Sequence, residues 1–195
     1  MRRIRFETIA EVFETFPTLR DEVKAEPSEE APLAFLERLV RAGEIGDAVT
    51  LAAHVLPRRE VVWWACRCVA ANAGRMTPEI RHAWEIAAAW VHRPDEKRRL
   101  AAWEAAKTAD DAEATTWLLR AVTWSGGAME PDAAHPVMPP PDLCGKAARG
   151  AVQLAAARET DATRSTFYER CVSTALAIGR DGGDLAEEVL RTVRA

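Results

Sequence analysis

The sequence lacks the features that would place it in several large classes of protein. No stretch alternates apolar and polar residues over six positions, so the strands of a half-buried sheet are not predicted. No apolar run approaches the roughly 18 residues that span a bilayer, and no apolar segment follows the basic start at Met1, so no secretory signal is predicted. We therefore expect a cytoplasmic protein that is not inserted in a membrane.

Cysteine and charge of one sign are also scarce. The net charge is -4 over 195 residues, and no long block carries a single sign, whereas a nucleic-acid binder concentrates positive charge. The four cysteines are irregularly spaced, which predicts reduced and buried side chains rather than a disulfide framework. Cys66 and Cys68 would point to nearly opposite sides of a helix, so they could not hold one metal ion together.

What the sequence does contain is helix-forming. Ala, Leu, Glu and Arg are abundant, and 48% of the residues are hydrophobic, which is enough for a substantial core. We predict an all-α domain spanning residues 1–195, with about eight to ten helices arranged as a bundle or as stacked antiparallel pairs. The segment from Arg58 to Asn72 is apolar nearly all round, which is typical of a central helix. Residues 125–141 contain five prolines and predict an irregular crossover.

One short motif resembles a metal site. Glu79 and His82 have Glu-x-x-His spacing, which places both side chains on one face of a helix, as di-iron carboxylate proteins require. Such a site needs a second Glu-x-x-His motif, and the sequence has none. Glu79 would also suit the positive end of a helix dipole as a first-turn carboxylate. We expect no metal ligand, cofactor or catalytic residue, and a helical metalloprotein or enzyme using Glu79 and His82 is the alternative hypothesis.

Two parts of the chain are candidates for contact with another protein. Trp63 lies next to Trp64 on a helix, so one ring can be core while the other lines a groove, and Arg67 on the same helix needs a partner or marks an exposed edge. The second part is the extended run Val137, Met138, Pro139, Pro140 and Pro141. Polyproline segments bind at low entropic cost, although the same run could be a tether packed across the helices.

A nucleic-acid binder is the third hypothesis. It would use a set of basic residues in two short clusters, namely Arg58, Arg59, Lys97, Arg98 and Arg99. The second cluster follows two acidic residues, so a solvated and salt-bridged helix face is the default interpretation.

Two longer runs carry a family resemblance. The run from Asp47 to Cys66 (DAVTLAAHVLPRREVVWWAC), and the run Val137 to Pro141 followed by Ala147 to Val152 (AARGAV), resemble an uncharacterised bacterial family, a domain of unknown function. The resemblance implies an all-helical cytoplasmic protein that is often encoded near type VI secretion genes. It implies no known activity and no catalytic residues. A non-enzymatic protein–protein interaction module, such as an accessory of a secretion apparatus, is therefore the first hypothesis for function.

Overall fold

A computed structural model describes residues 4–71 and 76–181 of the chain. All the regular structure in these ranges is helical, which confirms the all-α prediction. The described residues form ten helices, in order α1 Ile9–Thr15, α2 Leu19–Glu22, α3 Pro32–Ala42, α4 Ile45–Val55, α5 Arg58–Ala70, α6 Pro78–His92, α7 Glu96–Ala106, α8 Ala114–Thr123, α9 Leu143–Ala156 and α10 Asp161–Asp181. None of the described helices combines the length and the hydropathy needed to cross a membrane.

Local sequence signals set several helix ends. The Thr77 hydroxyl oxygen accepts a hydrogen bond from the amide of Ile80, and Pro78 is the first residue of α6. At the start of α7 the Asp95 carboxylate accepts from the amide of Arg98 at 2.9 Å. Helix α3 ends at Gly43, whose φ of 80° lies in the left-handed region that glycine adopts without strain.

Helix α5 lies at the centre of the bundle, as its lack of a polar face predicts. It packs against α4, α6, α8, α9 and α10. The indole of Trp64 is fully buried and donates a hydrogen bond to the carbonyl of Cys171 in α10 at 2.8 Å. A helix enclosed by neighbours on so many sides is typical of a bundle rather than of a solenoid, in which each element contacts only its sequence neighbours. Asn72, where the prediction ended this helix, lies outside the described residues.

The close approach of α4 and α9 brings the two runs of the family resemblance together. A Cβ atom added at Gly145 would lie 2.6 Å from the carbonyl oxygen of Ala53, so a glycine is needed at this contact. Arg149, one turn further along α9, reaches the hydroxyl of Thr50 in α4 at 3.5 Å. The N-terminal segment joins the same region, because the carboxylate of Asp47 accepts hydrogen bonds from the amides of residues 24 and 25.

Candidate functional site

The irregular segment at residues 125–141, called the crossover loop below, is held to the bundle by a buried arginine. The guanidinium of Arg99 donates to the carbonyls of Thr123 and Ala128, at 3.1 and 3.4 Å. It also makes a two-pronged ion pair with Glu96 at 2.7 and 2.6 Å. Its side chain is only 5% exposed. The buried side chain of Arg99 therefore fixes the direction in which the loop leaves α8.

Three further contacts fix the shape of the crossover loop. Arg58 of α5 donates to the carbonyl of Ser125 at 2.8 Å. Gly127 has a φ of 66°, and a Cβ there would lie 2.6 Å from the Arg99 guanidinium. The amide of Met129 donates to the carbonyl of Val137 at 2.8 Å, which closes the loop on itself. The predicted irregular crossover is thus an anchored structure.

The closed loop displays two large apolar side chains. Val137 and Met138 are 64% and 63% exposed. Pro139, the next residue, is buried, while Pro140 and Pro141 are exposed. The sequence left two roles open for residues 137–141, a contact with a partner and a tether packed on the helices. The segment has a feature of each, since Pro139 packs inward whereas Val137 and Met138 face solvent.

A groove next to the loop is lined by aromatic side chains. This tryptophan groove has a volume of about 260 Å³ and is lined by Trp103, Ala106, Lys107, Arg120, Thr123, Trp124, Met129 and Glu130. The rings of Trp103 and Trp124 are half-buried. The ammonium of Lys107 lies 4.1 Å from the centre of the Trp103 ring, within the range of a cation–π contact. Sequence reasoning placed these tryptophans on helices but had no signal for which of them line a surface.

Trp63 and Arg67, predicted as contacts together with the loop, lie elsewhere. Trp63 is 2% exposed, so it belongs to the core and offers no face to a partner. The cause is that α5 is covered on all sides, which leaves neither of its tryptophans at a groove. Arg67 is half-buried, with its guanidinium 5.7 Å from the Trp63 ring, and it lines a different cavity. The structure therefore brings together only the loop residues of the predicted set.

Most of the basic residues considered for nucleic-acid binding have partners within the fold. Arg58 and Arg59 donate to backbone carbonyls, and Arg99 is the buried loop anchor. Arg98 pairs with the carboxylate that caps its own helix. Lys97 remains exposed. The sequence predicted a solvated, salt-bridged helix face at residues 97–99. Arg98 fits that prediction, whereas Arg99 is buried, which the sequence did not indicate.

Glu79 and His82 occupy the exposed start of α6. A hydrogen bond from Thr77, together with the Glu79 backbone amide, holds the pKa of Glu79 below its ordinary value, as suits a first-turn carboxylate. His82 is 74% exposed and lies 4.0 Å from Glu85. Within residues 4–71 and 76–181, no three histidine, cysteine or acidic side chains gather as a metal would require.

A polar cluster between α2, α4 and α9 had no sequence signal. It consists of Thr18, Glu22, Thr50, His54, Asp142, Lys146 and Arg149. Glu22 pairs with Arg149, and Lys146 bridges Glu22 and Asp142 at 3.4 and 2.7 Å. Burial opposes ionisation of Glu22, but the hydrogen bonds and charges of Arg149 and Lys146 together outweigh it and hold the pKa of Glu22 below its ordinary value. These pairings tie α2 to α4 and α9, the helices that carry parts of the family motifs.

His54 lies at the buried end of the polar cluster. Its Nδ1 is 2.8 Å from the carbonyl of Thr50, so Nδ1 carries the proton and donates it. Its Nε2 is buried without a hydrogen-bond partner. Burial lowers the pKa of His54, so the ring is held neutral. The cluster thus encloses a neutral imidazole, and two of its buried nitrogens, Nε2 of His54 and Nε of Arg149, have no hydrogen-bond partner.

Comparison with known proteins adds a family to this description. No curated protein and no solved structure matches the chain. A family model matches residues 35–179, which includes the crossover loop, the tryptophan groove and most of the bundle. The chain belongs to DUF6931, a family of unknown function.

Proposed function

We propose that this protein is a non-enzymatic protein–protein interaction module whose contact surface is the crossover loop with the tryptophan groove. The observation that carries the proposal is the exposure of Val137 and Met138, at 64% and 63%, on a loop that Arg99 anchors. Large exposed apolar side chains beside a groove are typical of surfaces that a partner covers. Tryptophan, methionine and arginine are also the residues that interface cores favour.

The proposed partner is a cytoplasmic component of a type VI secretion apparatus. Support for this comes from the family resemblance of the two motif runs, which implies genes near those of type VI secretion. Support for a protein partner comes from the surface itself, since Val137 and Met138 are uncharged and the adjacent cations Lys107 and Arg120 already contact Glu104 and Asp111. A surface of this kind favours an apolar partner segment over a polyanion.

The test is a change of the exposed pair that leaves the fold intact. The double variant Val137→Asp and Met138→Asp should lose the partners that the wild-type protein recovers from its native cells, because two carboxylates would be desolvated on binding. A matched control is Ala162→Asp with Ala177→Asp, which adds the same charge on the exposed side of α10. Quantitative mass spectrometry of the recovered proteins, with thermal unfolding of each variant, gives the readout.

The alternative role of the segment as a structural tether has its own signature. A tether predicts a lower melting temperature for the double variant with partner recovery unchanged. The interaction surface predicts lost recovery at an unchanged melting temperature, because exposed positions rarely alter stability by more than about 0.5 kcal/mol. Recovery of no specific partner by the wild-type protein, or equal recovery by both double variants, would overturn the proposal.

A further inference from the structure

Sulfur atoms that an oxidant could attack are distributed unevenly over the described part of the chain. The four cysteines are free, and none is more than 4% exposed, because all of them belong to the hydrophobic core. Burial raises the pKa of Cys66, Cys68 and Cys144, so these thiols stay protonated at neutral pH. Hydroperoxides oxidise cysteines that are exposed and ionised. The cysteines are therefore poor targets for such an oxidant.

The methionine thioethers differ from one another in their access to solvent. Met76 and Met129 are partly buried, the first against the hydrophobic core and the second in the wall of the tryptophan groove. Met138 is 63% exposed. A thioether needs no deprotonation before it reacts with a hydroperoxide, so access decides which methionine is oxidised first. Within residues 4–71 and 76–181, Met138 is therefore the sulfur that an oxidant reaches most easily.

The fold also holds Met138 at the surface. The carbonyl of the residue before it, Val137, accepts a hydrogen bond from the amide of Met129 at 2.8 Å. The residue after it, Pro139, is buried. A movement of Met138 into the interior would disturb one of these two attachments. Its thioether therefore stays displayed on the crossover loop, beside the tryptophan groove.

We propose that Met138 is a site of reversible oxidation by hydroperoxides, and that its sulfoxide weakens the contact of the crossover loop with a partner. The sulfur lone pair attacks the hydroxyl oxygen of the hydroperoxide, the oxygen–oxygen bond breaks, and the sulfur keeps the attacked oxygen. The sulfur loses two electrons to the peroxide. The other peroxide oxygen takes the hydroxyl proton and leaves as water, or as an alcohol from an organic hydroperoxide. The second half of the inference rests on the proposed function, because it needs a partner at this surface.

The sulfoxide changes the chemistry of the displayed surface. Oxidation turns a flexible apolar side chain into a polar one. At a contact that excludes water, its oxygen must find a hydrogen-bond donor or lose its hydration without compensation. The cations that line the groove, Lys107 and Arg120, each already pair with a carboxylate of the fold. We expect the affinity for the partner to fall on the order of tenfold. Methionine sulfoxide reductases restore the thioether, so the loss should be reversible.

The first experiment locates the oxidation on the full-length native protein and needs no partner. The protein is treated with limiting hydrogen peroxide near neutral pH, quenched at intervals and mapped by peptide mass spectrometry. We expect the sulfoxide of Met138 to form before those of Met76 and Met129, while the four thiols remain free. In urea the three methionines should oxidise at similar rates, because the shielding is lost. The assignment is overturned if another of these sulfurs is oxidised before Met138 in the native protein, or if the same order persists in urea.

The second experiment measures the effect of the sulfoxide on recognition. Partner recovery from native cells is compared for untreated, peroxide-treated and reductase-repaired protein, with thermal unfolding to check that each sample is folded. Treatment should lower the recovery by the wild type on the order of tenfold, and repair should restore it. Met138→Leu keeps an apolar side chain that peroxide cannot oxidise, so its recovery should be unaffected by treatment. Met138→Gln is polar without oxidation, so its recovery should be low with and without peroxide.

The outcomes separate this inference from the proposed function. If the untreated wild type recovers no specific partner, the proposed function fails and the effect on recognition fails with it, whereas peptide mapping still decides where oxidation occurs. If the wild type recovers partners and peroxide leaves that recovery unchanged, the contact surface stands and its control by oxidation is overturned. An equal loss on treatment of Met138→Leu would likewise show that another residue is responsible.

Discussion

The contact between α4 and α9 makes a quantitative prediction about two glycines. Gly46 is the second residue of α4 and Gly145 is the third residue of α9, so both lie in a first helical turn. Exchange of either for alanine restricts the unfolded chain and adds a better helix former, worth up to about 1 kcal/mol in favour of folding. A methyl group at Gly46 meets nothing within 4 Å. Gly46→Ala should therefore stabilise the protein by up to about 1 kcal/mol.

The same exchange at Gly145 creates a clash with the backbone. Its Cβ would lie 2.6 Å from the Ala53 carbonyl oxygen and 3.4 Å from the His54 ring, whereas ordinary contact begins near 3.4 Å. A backbone carbonyl within a packed helix cannot move without moving the helix, and overpacking of this kind costs about 1–3 kcal/mol. Because the propensity gain is common to both variants, the difference between Gly46→Ala and Gly145→Ala isolates the clash at about 1–3 kcal/mol.

Urea unfolding followed by tryptophan fluorescence measures both free energies. Gly150→Ala is an internal check, because its Cβ would lie 3.2 Å from the partly exposed ring of Trp117, which can shift. Its stability should fall between those of the other two variants. If Gly145→Ala is as stable as Gly46→Ala with an unchanged slope against urea, the close approach of α4 and α9 is not as described.

Three further predictions concern buried polar groups. Arg99→Met should destabilise the protein by about 1.5–3 kcal/mol through the lost charged hydrogen bonds, whereas the half-exposed control Arg98→Met should stay within about 1 kcal/mol, both measured by urea unfolding. Because the pKa of His54 is lowered in the folded protein, the unfolded chain takes up the His54 proton first as the pH drops below 6.5. The free energy of unfolding of the wild type should therefore decrease as the pH drops below 6.5. His54→Asn should flatten that fall between pH 6.5 and 4.5, above the range where the carboxylates of the polar cluster protonate. Trp64→Phe should cost about 1–3 kcal/mol, because the indole hydrogen bond to Cys171 and part of the ring contact are lost.

Two of these predictions have clear contrary outcomes. Equal losses for Arg99→Met and Arg98→Met would mean that the crossover loop does not depend on the buried guanidinium. A fall between pH 6.5 and 4.5 that is as steep in His54→Asn as in the wild type would mean that a lowered pKa of His54 is not its cause.

The helices were predictable where a few neighbouring residues decide the outcome. Thr77 followed by Pro78 marks a helix start because both contributions, a side-chain acceptor and a missing amide, are local. Gly43 marks an end for the same kind of reason. The central place of α5 followed from the absence of a polar face, which is again a property of one segment.

The surface could not be predicted in the same way. Arg99 lies in a run of charged residues that is indistinguishable from a solvated face, and its burial depends on where the last carbonyls of α8 lie. Trp63 and Trp103 carry the same side chain, yet the first is core and the second lines a groove, because five helices surround α5 and α7 lies at the edge. The polar cluster joins residues as far apart as Glu22 and Arg149, which no local pattern connects.

The anchoring of the crossover loop by Arg99 bears on the speed of recognition. A loop that keeps one shape before and after contact needs no folding step, so the ordering cost is confined to exposed side chains such as Met138, at about 0.5–1.5 kcal/mol each. Association should then be limited by orientation, with a rate constant on the order of 10⁵–10⁷ M⁻¹s⁻¹. Because the displayed pair is uncharged, that rate should change little with ionic strength, and differences among partners should appear in how long each complex lasts.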